Sequence, residues 1–545
     1  MLNLARREEE RLLVQDVLDS SKTSEERNRL GQFSTPPPLA REIIIESVRL
    51  MEPERLMGSI RFLDPALGTG AFWSALRIVF PDLSSTGVGV EIDDEFVDAS
   101  RRLWTGTGLK IRSEDFTQCK APSRERDRFD LLVCNPPYVR HHHISAEHKP
   151  ALRVASANAA GIDLSGLAGL YCHFLALSHP WMRRGAIAAW LIPTEFMDVN
   201  YGAALKQYLL RDVTLLRIHQ FEPEDVQFSD ALVSSAVVMF RNEAPPEDHS
   251  VEFSQGSKLS DVRRRKLVPI ADLLPSDRWT QVLERRDGDR EHTTVASSLR
   301  LNDIFAVRRG LVTGSNEFFM LSEQRAKELR LPKEWLTPIL PSPRYLPNLE
   351  ILARYDGTPE LDRRYFLLNC DLPEDEIASD FPDLWSYLCT ASQALRDRYI
   401  CRHRSPWYRQ EKRPAAPLVC TYLGRRNESR RPFRFFLNHS EATAANVYHL
   451  LYPLPRLASA MEGEPSVLRQ IWTYLNTVDV DDLLRESRVY GGGLRKLEPK
   501  ELGRISLRGL DPDIQKLISE SGVPEFPSTD LGSTHQLLET VQFDT

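Results

Sequence analysis

The sequence lacks the features of a secreted, membrane-bound or disulfide-rich protein. No apolar run approaches the roughly 18 residues that a membrane-spanning helix needs. The charged start MLNLARREEERLL has no apolar centre of the kind found in signal peptides. The seven cysteines are odd in number and include no CxxC pair, which argues against a disulfide framework and against a zinc ribbon. These absences predict a cytoplasmic protein without a membrane partner.

An excess of basic charge is also missing. The chain has 70 Lys and Arg against 77 Asp and Glu, and its formal net charge of -7 argues weakly against a nucleic-acid partner. Net charge is a poor guide where basic residues are segregated. Residues 396–434 hold twelve Lys or Arg and only three acids, with aromatic residues between them. Such a stretch fits a surface that binds phosphates, although a solvated surface explains it as well.

The length and the element pattern indicate more than one domain. A chain of 545 residues is too long for one compact core. From about residue 40 to 240, helical patterns alternate with short apolar strands such as RFLDPA, TGVGVEID and FDLLVCN, which predicts a doubly wound parallel α/β sheet. Beyond RNEAPPEDHS the pattern is irregular and predicts a mixed α+β domain. Because doubly wound sheets bind ligands outside the carboxyl ends of their strands, we expect the functional residues there.

Unusual residues follow the first three predicted strands. The turn DPALGTG (64–70) has two glycines that let the backbone approach a ligand closely. It is not a phosphate-binding P-loop, and it fits a dinucleotide fingerprint poorly because the third glycine is absent. Glu91 ends the next strand about 20 residues further on, where an acid can bind ribose hydroxyls. Near the third strand end, Asp115 could accept a hydrogen bond from an adenine amino group while Phe116 packs on the ring, although a helix cap is an equally good explanation.

The fourth strand, FDLLVC, ends at Asn135-Pro136-Pro137-Tyr138. Two consecutive prolines continue neither a strand nor a helix, so a stiff turn is the plain explanation. The histidines at 141–143 that follow lack partners at ligand spacing, and a mobile loop explains them better than a metal site. Before the first strand lies FSTP (33–36), where Thr35 and Pro36 also fit the start of a helix.

The order of these motifs, with FSTP first, the glycine turn next and NPPY last, resembles the gamma-order DNA adenine-N6 methyltransferases. These are the TaqI-like and PstI-like restriction-modification enzymes. The resemblance implies a Rossmann-like sheet that binds S-adenosyl-L-methionine, followed by a target recognition domain. The residues that it implies as cofactor-binding are Phe33, Thr35, Pro36, Asp64, Ala66, Gly68, Gly70, Phe72, Glu91, Ile92, Asp115, Phe116 and Asn135.

The chemistry explains why this family needs NPPY. The adenine amino nitrogen is a poor nucleophile because its lone pair is delocalised into the ring. Acceptors held rigidly by Pro136 and Pro137, namely the Asn135 side-chain carbonyl and the Pro136 backbone carbonyl, would favour a tetrahedral nitrogen. The target base must first leave the duplex. The family implies that it then stacks on Tyr138 and on Phe228, although ordinary core packing also explains Phe228.

The second half carries further family resemblances. RRGLVTGSNEFF (308–319), HRSPWYRQEKRP, LNHSEATAANVYHLL and YGGGLRKLEP (490–499) resemble segments of the recognition domain, nearest to the PstI-like branch. The residues that we expect to contact DNA are Arg402, Arg404, Trp407, Tyr408, Arg409, Arg425 and Arg426. The expected boundaries are an N-terminal helical extension (1–30), a catalytic domain (31–245), a connecting segment (246–300), a recognition domain (301–525) and a flexible tail (526–545).

The resemblance implies double-stranded DNA as the substrate and a nucleoid-associated protein of a bacterium or archaeon that needs no metal. The roughly 30 residues before FSTP are too few for a nuclease domain, so a cognate restriction endonuclease is expected as a separate protein. Methyltransferases for an RNA base or a protein glutamine amide also use NPPY. A catalytically inactive DNA-binding module is the alternative from a different class.

Overall fold

The computed structural model describes residues 2–222, 227, 234–283, 299–425, 431–490 and 494–521. Phe228, Arg426 and the expected tail at 526–545 lie outside these residues. The chain divides into two compact units, Met1–Thr293 with Val489–Leu494, and Thr294–Arg488 with Arg495–Thr545. Among the described helices, none is both long enough and apolar enough to cross a membrane.

The first unit is built on one large sheet. Its strands are β1 (Ile60–Asp64), β2 (Ser85–Glu91), β3 (Leu109–Ser113), β4 (Phe129–Cys134), β5 (Met182–Pro193), β6 (Thr214–Phe221), β7 (Ser235–Arg241), β8 (Ser250–Gly256) and β9 (Arg264–Pro269). They form a nine-stranded sheet in the order β3-β2-β1-β4-β5-β7-β6-β8-β9. The strands from β3 to β5 in this order are parallel, and β7 runs antiparallel to both of its neighbours. The predicted α/β class is therefore confirmed.

Both faces of the sheet are covered, as its apolar strands require. The helices are α1 (Leu2–Ser20), α2 (Ser24–Leu30), α3 (Pro37–Arg49), α4 (Pro53–Leu56), α5 (Ala71–Val79), α6 (Asp94–Trp104), α7 (His148–Ala160), α8 (Leu170–Ser178) and α9 (Ala203–Arg211). Alternate residues of β4 enter different cores. Leu132 and Cys134 pack in the core that contains α8 and α9, whereas Leu131 and Val133 pack in the core that contains α3 and α5.

The sheet extends further along the chain than expected. Residues 246–300 were expected to connect two domains, but β8 and β9 lie within them and complete the sheet edge. Strand β8 pairs in parallel with β6, and its Val251 and Phe253 are fully buried. The expectation that 246–300 only connects two domains was therefore wrong. The segment SVEFSQG forms a strand, and its apolar side chains pack in the core that contains α8 and α9.

The N-terminal segment is helical, as expected, but it is an integral part of the first unit. On α1, Arg11 is only 1% exposed and donates both to the Glu8 carboxylate and to the Thr69 hydroxyl. Glu8 in turn accepts a hydrogen bond from Ser74 at the start of α5. A buried ion pair therefore fixes α1 against the glycine turn and the helix after it.

The second unit combines smaller sheets with short helices, in agreement with the predicted mixed domain. Its strands are β10 (Phe305–Arg309), β11 (Met320–Ser322), β12 (Leu336–Leu340), β13 (Glu350–Ile351), β14 (Tyr365–Leu368), β15 (Leu418–Thr421), β16 (Leu423–Arg425), β17 (Phe435–Asn438), β18 (Thr443–Ala444) and β19 (Tyr448–Pro453). One sheet has the order β10-β19-β15-β17-β13 and another the order β11-β14-β12-β18. Two further strands are Arg488–Tyr490 and Leu494–Lys496. The boundary between the two units falls within each of them, after Arg488 and after Leu494.

The helices of the second unit pack in two cores, one shared with each of these two sheets. They are α10 (Leu301–Ile304), α11 (Asn316–Phe319), α12 (Glu323–Glu328), α13 (Glu374–Asp380), α14 (Pro382–Cys389), α15 (Gln393–Arg396), α16 (Tyr399–Arg402), α17 (Pro455–Gly463), α18 (Ser466–Thr477), α19 (Val480–Glu486), α20 (Pro499–Leu502) and α21 (Pro512–Glu520). Phe435 of β17 and Leu451 of β19 share one core with Leu457 of α17 and Ile471 of α18. Both units therefore have cores of their own.

The buried ion pair of α1 leads to a stability prediction. The substitution Arg11→Met leaves the Glu8 carboxylate buried without its cation, and we expect a loss of about 3–5 kcal/mol in the free energy of unfolding. Urea unfolding followed by tryptophan fluorescence measures the loss. Arg6→Met, at an exposed position of the same helix, is the matched control and should change stability by less than about 0.5 kcal/mol. Equal unfolding curves for the two variants would contradict the structural role of Arg11.

Candidate cofactor and catalytic site

A cavity of about 880 Å³ opens at the carboxyl ends of β1 to β4 in the first unit. This is the edge where β1 lies between β2 and β4, so the chain leaves the sheet in two directions and creates a crevice. Of the residues expected to bind the cofactor, the cavity lining includes Phe33, Thr35, Asp64, Ala66, Gly68, Phe72, Glu91, Ile92, Asp115, Phe116 and Asn135. Motifs spread over about one hundred residues of sequence are therefore brought to one place.

The glycine turn has the backbone geometry that the sequence predicts. Gly68 and Gly70 have φ angles of 54° and 85°, in the left-handed region that favours glycine. A Cβ on Gly70 would lie 2.5 Å from the indole nitrogen of Trp104, which donates to the Thr69 carbonyl. A Cβ on Gly68 would meet no atom of the described residues within 4 Å. Gly70 is thus required by packing, whereas Gly68 leaves its backbone open to a ligand.

Glu91 is held in place by backbone donors. Its carboxylate accepts hydrogen bonds from the backbone N–H groups of Gly68, Ile92 and Asp93, each at 2.9 Å. Burial raises the pKa of the Glu91 carboxyl, while these backbone donors act in the opposite direction. The neighbouring Ile92 side chain is 66% exposed and lines the cavity, where it can pack on a ring. The acid therefore has a fixed orientation before any ligand arrives.

Asp64 lines the cavity from the end of β1. It is 1% exposed, and its Oδ1 accepts a hydrogen bond from the Ala66 N–H at 3.1 Å. Burial raises the pKa of Asp64 to about 8, so the carboxyl is largely protonated at neutral pH. Phe72, 3% exposed, also lines the cavity. This part of the site is apolar and nearly neutral.

Asp115 serves as a cap and also lines the cavity. Its Oδ1 accepts from the N–H and the hydroxyl of Thr117, at 2.9 and 2.7 Å, and so caps the short 3-10 helix Phe116–Gln118. The ring of Phe116 packs 5.3 Å from that of Phe174 and 5.4 Å from that of Trp181. The cap explanation is therefore correct, and it leaves the cofactor role open because Asp115 also lines the cavity.

The Asn135 side chain has one satisfied end and one unsatisfied end. Its Nδ2 donates to the Phe33 carbonyl at 2.8 Å and to the Thr35 hydroxyl at 3.1 Å. Its Oδ1 is buried and has no hydrogen-bond partner among the described residues. A buried acceptor left without a donor is costly and rare. The FSTP loop thus orients the Asn135 amide so that its carbonyl is free to accept.

This arrangement corrects one expectation about FSTP. The helix α3 begins at Pro37 with Pro36 as its N-cap, and no side chain of the described residues caps it. Thr35 is therefore not the cap that the sequence suggested, because its hydroxyl is used by Asn135 instead.

The rest of NPPY is fixed as firmly as its asparagine. The Tyr138 N–H donates to the Gly31 carbonyl, and the Tyr138 hydroxyl donates to the Leu191 carbonyl on β5, both at 3.0 Å. Its ring lies 5.6 Å from that of Phe33, and it is 7% exposed. A Cβ on Gly31 would come within 2.3 Å of the Tyr138 nitrogen. Among the described residues of this turn, Asn135 and Pro137 line the cavity, whereas Pro136 and Tyr138 do not. Alternate residues of the turn therefore differ in whether they contact the cavity.

The three histidines form the 3-10 helix His141–His143. The rings of His142 and His143 lie 4.2 Å apart, and burial lowers the pKa of His142. Only His143 of the three is among the cavity-lining residues of the described chain. No group of three or more His, Cys, Asp or Glu side chains in the described segments has a geometry that could hold a metal ion.

Sequence reasoning missed several residues of this site. Gln15 and Asp19 of α1 line the cavity, as do Leu152 and Ala155 of α7. The segment before FSTP shows only a helical pattern, and nothing in that pattern marks which of its side chains reach a site formed by later residues. Contacts over long sequence separations carry no local signal.

The expected DNA-contacting residues of the second unit differ in exposure. Arg402, Arg409 and Arg425 are exposed. Arg404 is half-buried and donates to the carbonyls of Val312 and Thr313.

The two aromatic residues of this set are less accessible. Tyr408 is 1% exposed, and its hydroxyl donates to the Leu372 carbonyl, so a direct contact with DNA is excluded for it. The expectation that Tyr408 contacts DNA was wrong, because its ring is buried in a hydrophobic core of the second unit. Trp407 is half-buried between Phe319 and the guanidinium of Arg396.

Two family models match this chain, one in each half. The family model "Eco57I restriction-modification methylase" matches residues 89–227, and "Type II methyltransferase M.Eco57I, C-terminal domain" matches residues 277–530. The Type II methyltransferase M.XamI of Xanthomonas campestris pv. amaranthicola is 29% identical over 490 residues, covering 89% of this chain and 86% of the relative. M.AccI of Acinetobacter calcoaceticus is 23% identical over 497 residues, covering 88% and 85%.

A solved structure shows that the fold is shared. The Type IIL restriction-modification enzyme MmeI, solved in complex with DNA, is 11% identical with a TM-score of 0.53, covering 95% of this chain and 79% of MmeI. At this identity the likeness concerns the fold alone. The matches to both halves, together with the arrangement of FSTP, the glycine turn and NPPY around one cavity, show that the chain belongs to the family of Eco57I restriction-modification methylases.

Proposed function

We propose that this protein is a DNA methyltransferase of a restriction-modification system that methylates the N6 amino group of adenine in duplex DNA. The observation that carries the proposal is the Oδ1 of Asn135, which is buried and accepts no hydrogen bond from the residues that the structure describes. The names of its relatives, Type II methyltransferases, support the reaction class.

S-adenosyl-L-methionine is the methyl donor, and the cavity residues suit it. The cavity volume of about 880 Å³ is ample for a nucleoside with an amino-acid tail. Gly68 leaves space for close backbone approach, Glu91 suits the ribose hydroxyls, and the Ile92 and Phe116 side chains suit the adenine faces. When bound, the cofactor supplies an electrophilic methyl group on its sulfonium.

The residues of NPPY would act on the target amino group. The two N–H bonds of that group need two acceptors, and the Asn135 Oδ1 is one of them. The second is the Pro136 carbonyl, which accepts none of the hydrogen bonds made by the described residues. Acceptors fixed in advance favour the tetrahedral nitrogen of the transition state and cost no reorganisation during the reaction.

Tyr138 would contribute through its ring. Burial raises the pKa of the phenol well above its ordinary value, and the hydroxyl is occupied by the Leu191 carbonyl, so the group is no base. Stacking of a flipped base on an aromatic ring contributes about 1–3 kcal/mol, which offsets part of the cost of unstacking it. The second aromatic face that we propose, Phe228, lies outside the described residues.

Binding to the duplex is assigned to the basic surface of the second unit. Arg402, Arg409 and Arg425 are exposed, and none of their side chains has an ion pair within the described residues. Such side chains suit phosphate contacts, which give affinity without sequence information. A separate cognate endonuclease remains part of this proposal.

A methyl-transfer assay tests the substrate directly. Purified protein, labelled S-adenosylmethionine and duplex DNA should yield N6-methyladenine as the labelled nucleoside, because the acceptor geometry suits an exocyclic amino group. Methylation-sensitive long-read sequencing of DNA from cells expressing the protein should show the modification at one recurring sequence. Label found only in RNA, in protein or in methylcytosine would contradict the proposal.

The role of Asn135 predicts a specific defect. Asn135→Ala should lower kcat about 10²- to 10³-fold, the usual effect of removing one preorganised partner of the transition state. Cofactor affinity should change much less, as measured by isothermal titration. Asn28→Ala, at an exposed asparagine of the same unit, should leave kcat unchanged. Full activity of the Asn135→Ala protein would refute the acceptor mechanism.

The assignment of the basic surface predicts the salt dependence of DNA binding. Arg402→Ala and Arg409→Ala should each reduce the slope of log affinity against log salt by about 1, without changing sequence preference. Lys327→Ala is a control, because Lys327 is 72% exposed in its side chain but paired with Glu323 at 2.8 Å. Slopes that are the same for all three variants would remove Arg402 and Arg409 from the phosphate contacts.

A further inference from the structure

Helix α1 reaches the cavity through two polar side chains, Gln15 and Asp19, which are four residues apart and so share one face of the helix. The Thr69 hydroxyl donates to the Gln15 Oε1 at 2.6 Å. The Gln15 Nε2 donates to the Ser34 hydroxyl at 2.8 Å and to the Asp19 Oδ1 at 2.9 Å. The Ser34 hydroxyl donates to the Asp19 Oδ2 at 2.5 Å. One helix thus joins the glycine turn to the FSTP loop.

The cavity must accommodate a cation. S-adenosylmethionine carries positive charge on its sulfonium and on its amino group, and a cation needs an anionic partner in a partly buried site. Among the described residues, the acids that line the cavity are Asp19, Asp64, Glu91, Glu114 and Asp115. Most of them are engaged by other groups or are poorly ionised.

Four of the five acids are unsuited to the amino group. Glu91 accepts three backbone hydrogen bonds, and Asp115 caps a 3-10 helix. Glu114 pairs with Arg112 at 2.6 Å. Asp64 is buried, and its pKa of about 8 leaves it mostly neutral.

Asp19 differs from these acids in its partners. It is half-buried and accepts hydrogen bonds from two neutral donors, Gln15 and Ser34. It has no ion-pair partner among the described residues. It accepts from Ser34 of FSTP, the same loop that holds the Asn135 amide, so it lies near the end of the cavity where we propose methyl transfer. The Arg27 guanidinium donates to the Asp19 backbone carbonyl, and no described cation donates to the Asp19 carboxylate. A charge-assisted hydrogen bond from an ammonium group would supply that contact.

We propose that the Asp19 carboxylate binds the amino group of the methionine moiety of S-adenosylmethionine, and that Gln15 is the positioning residue that holds Asp19, Ser34 and Thr69 together. The N-terminal helix is then part of the cofactor site. This inference rests on the proposed function and deepens it, because it adds a recognition element for the cofactor.

Titration calorimetry with two ligands tests Asp19. The ligands are S-adenosylhomocysteine and the analogue of it that lacks the α-amino group. Asp19→Asn should weaken S-adenosylhomocysteine binding about tenfold, the effect expected for loss of one charge-assisted hydrogen bond. Binding of the deaminated analogue should stay unchanged. Asp16→Asn, the same substitution at an exposed position of α1, should bind both ligands as the unchanged protein does.

The possible outcomes separate the inference from the proposed function. Failure of the unchanged protein to bind S-adenosylhomocysteine would overturn the proposed cofactor and this inference with it. Binding by the unchanged protein, with equal affinity in the Asp19→Asn variant, would overturn only the role of Asp19. Equal weakening of both ligands would also overturn it, since a merely structural role does not distinguish them.

A second variant tests the positioning role of Gln15. Gln15→Met keeps the length of the side chain but removes its hydrogen bonds, so we expect the KM for S-adenosylmethionine to rise about tenfold with kcat unchanged. Leu13→Ala, at a 69% exposed position of the same helix, is the control for a substitution on α1 and should leave both constants unchanged. A fall in kcat with unchanged KM, or no change in either, would overturn the role of Gln15.

Discussion

The pair of hydrogen bonds from the Asn135 amide to FSTP is the constraint on which the rest of the site depends. It joins residues 102 and 100 positions apart in the chain. One partner comes from the end of a fully buried strand, and the other comes from the loop between α2 and α3. Because both Nδ2 protons are used, the carbonyl end has a single orientation. The Asn135 carbonyl, which we propose as the acceptor, is therefore oriented by a backbone carbonyl and a hydroxyl of a different motif.

Several neighbouring features follow from that constraint. Gly31 must be glycine because any Cβ would collide with the Tyr138 nitrogen. The Tyr138 phenol is tied to β5, so the turn is held at both of its ends. Two prolines between these anchors remove the remaining backbone freedom. The Asn135 Oδ1 is buried without a donor from the described part of the chain, and this cost is tolerated because the surrounding contacts over-determine its position.

The electrostatics of the cavity point to a cationic ligand. Burial raises the pKa values of both Asp64 and Glu91, so the strand-end acids are less acidic than they would be in water. A bound cation favours their ionised forms, and binding to the folded state alone adds stability by mass action. The N-terminal helix is connected to the cofactor cavity as well, because its buried Arg11 donates to Thr69 in the glycine turn. Cofactor binding and the stability of the first unit are therefore coupled.

The sequence by itself determined the alternation of strands and helices, the residues at the strand ends and the order of the motifs, because periodicity and turn chemistry are local. The glycine turn, Glu91 and Asn135 were identifiable for that reason. Tertiary structure alone decided which of several reasonable roles each residue has. Thr35 binds Asn135 instead of capping α3, Tyr408 lies in a core, and SVEFSQG completes a sheet. The place of Gln15 and Asp19 in the cavity was likewise invisible in the sequence, because it results from packing between segments that are far apart in the chain.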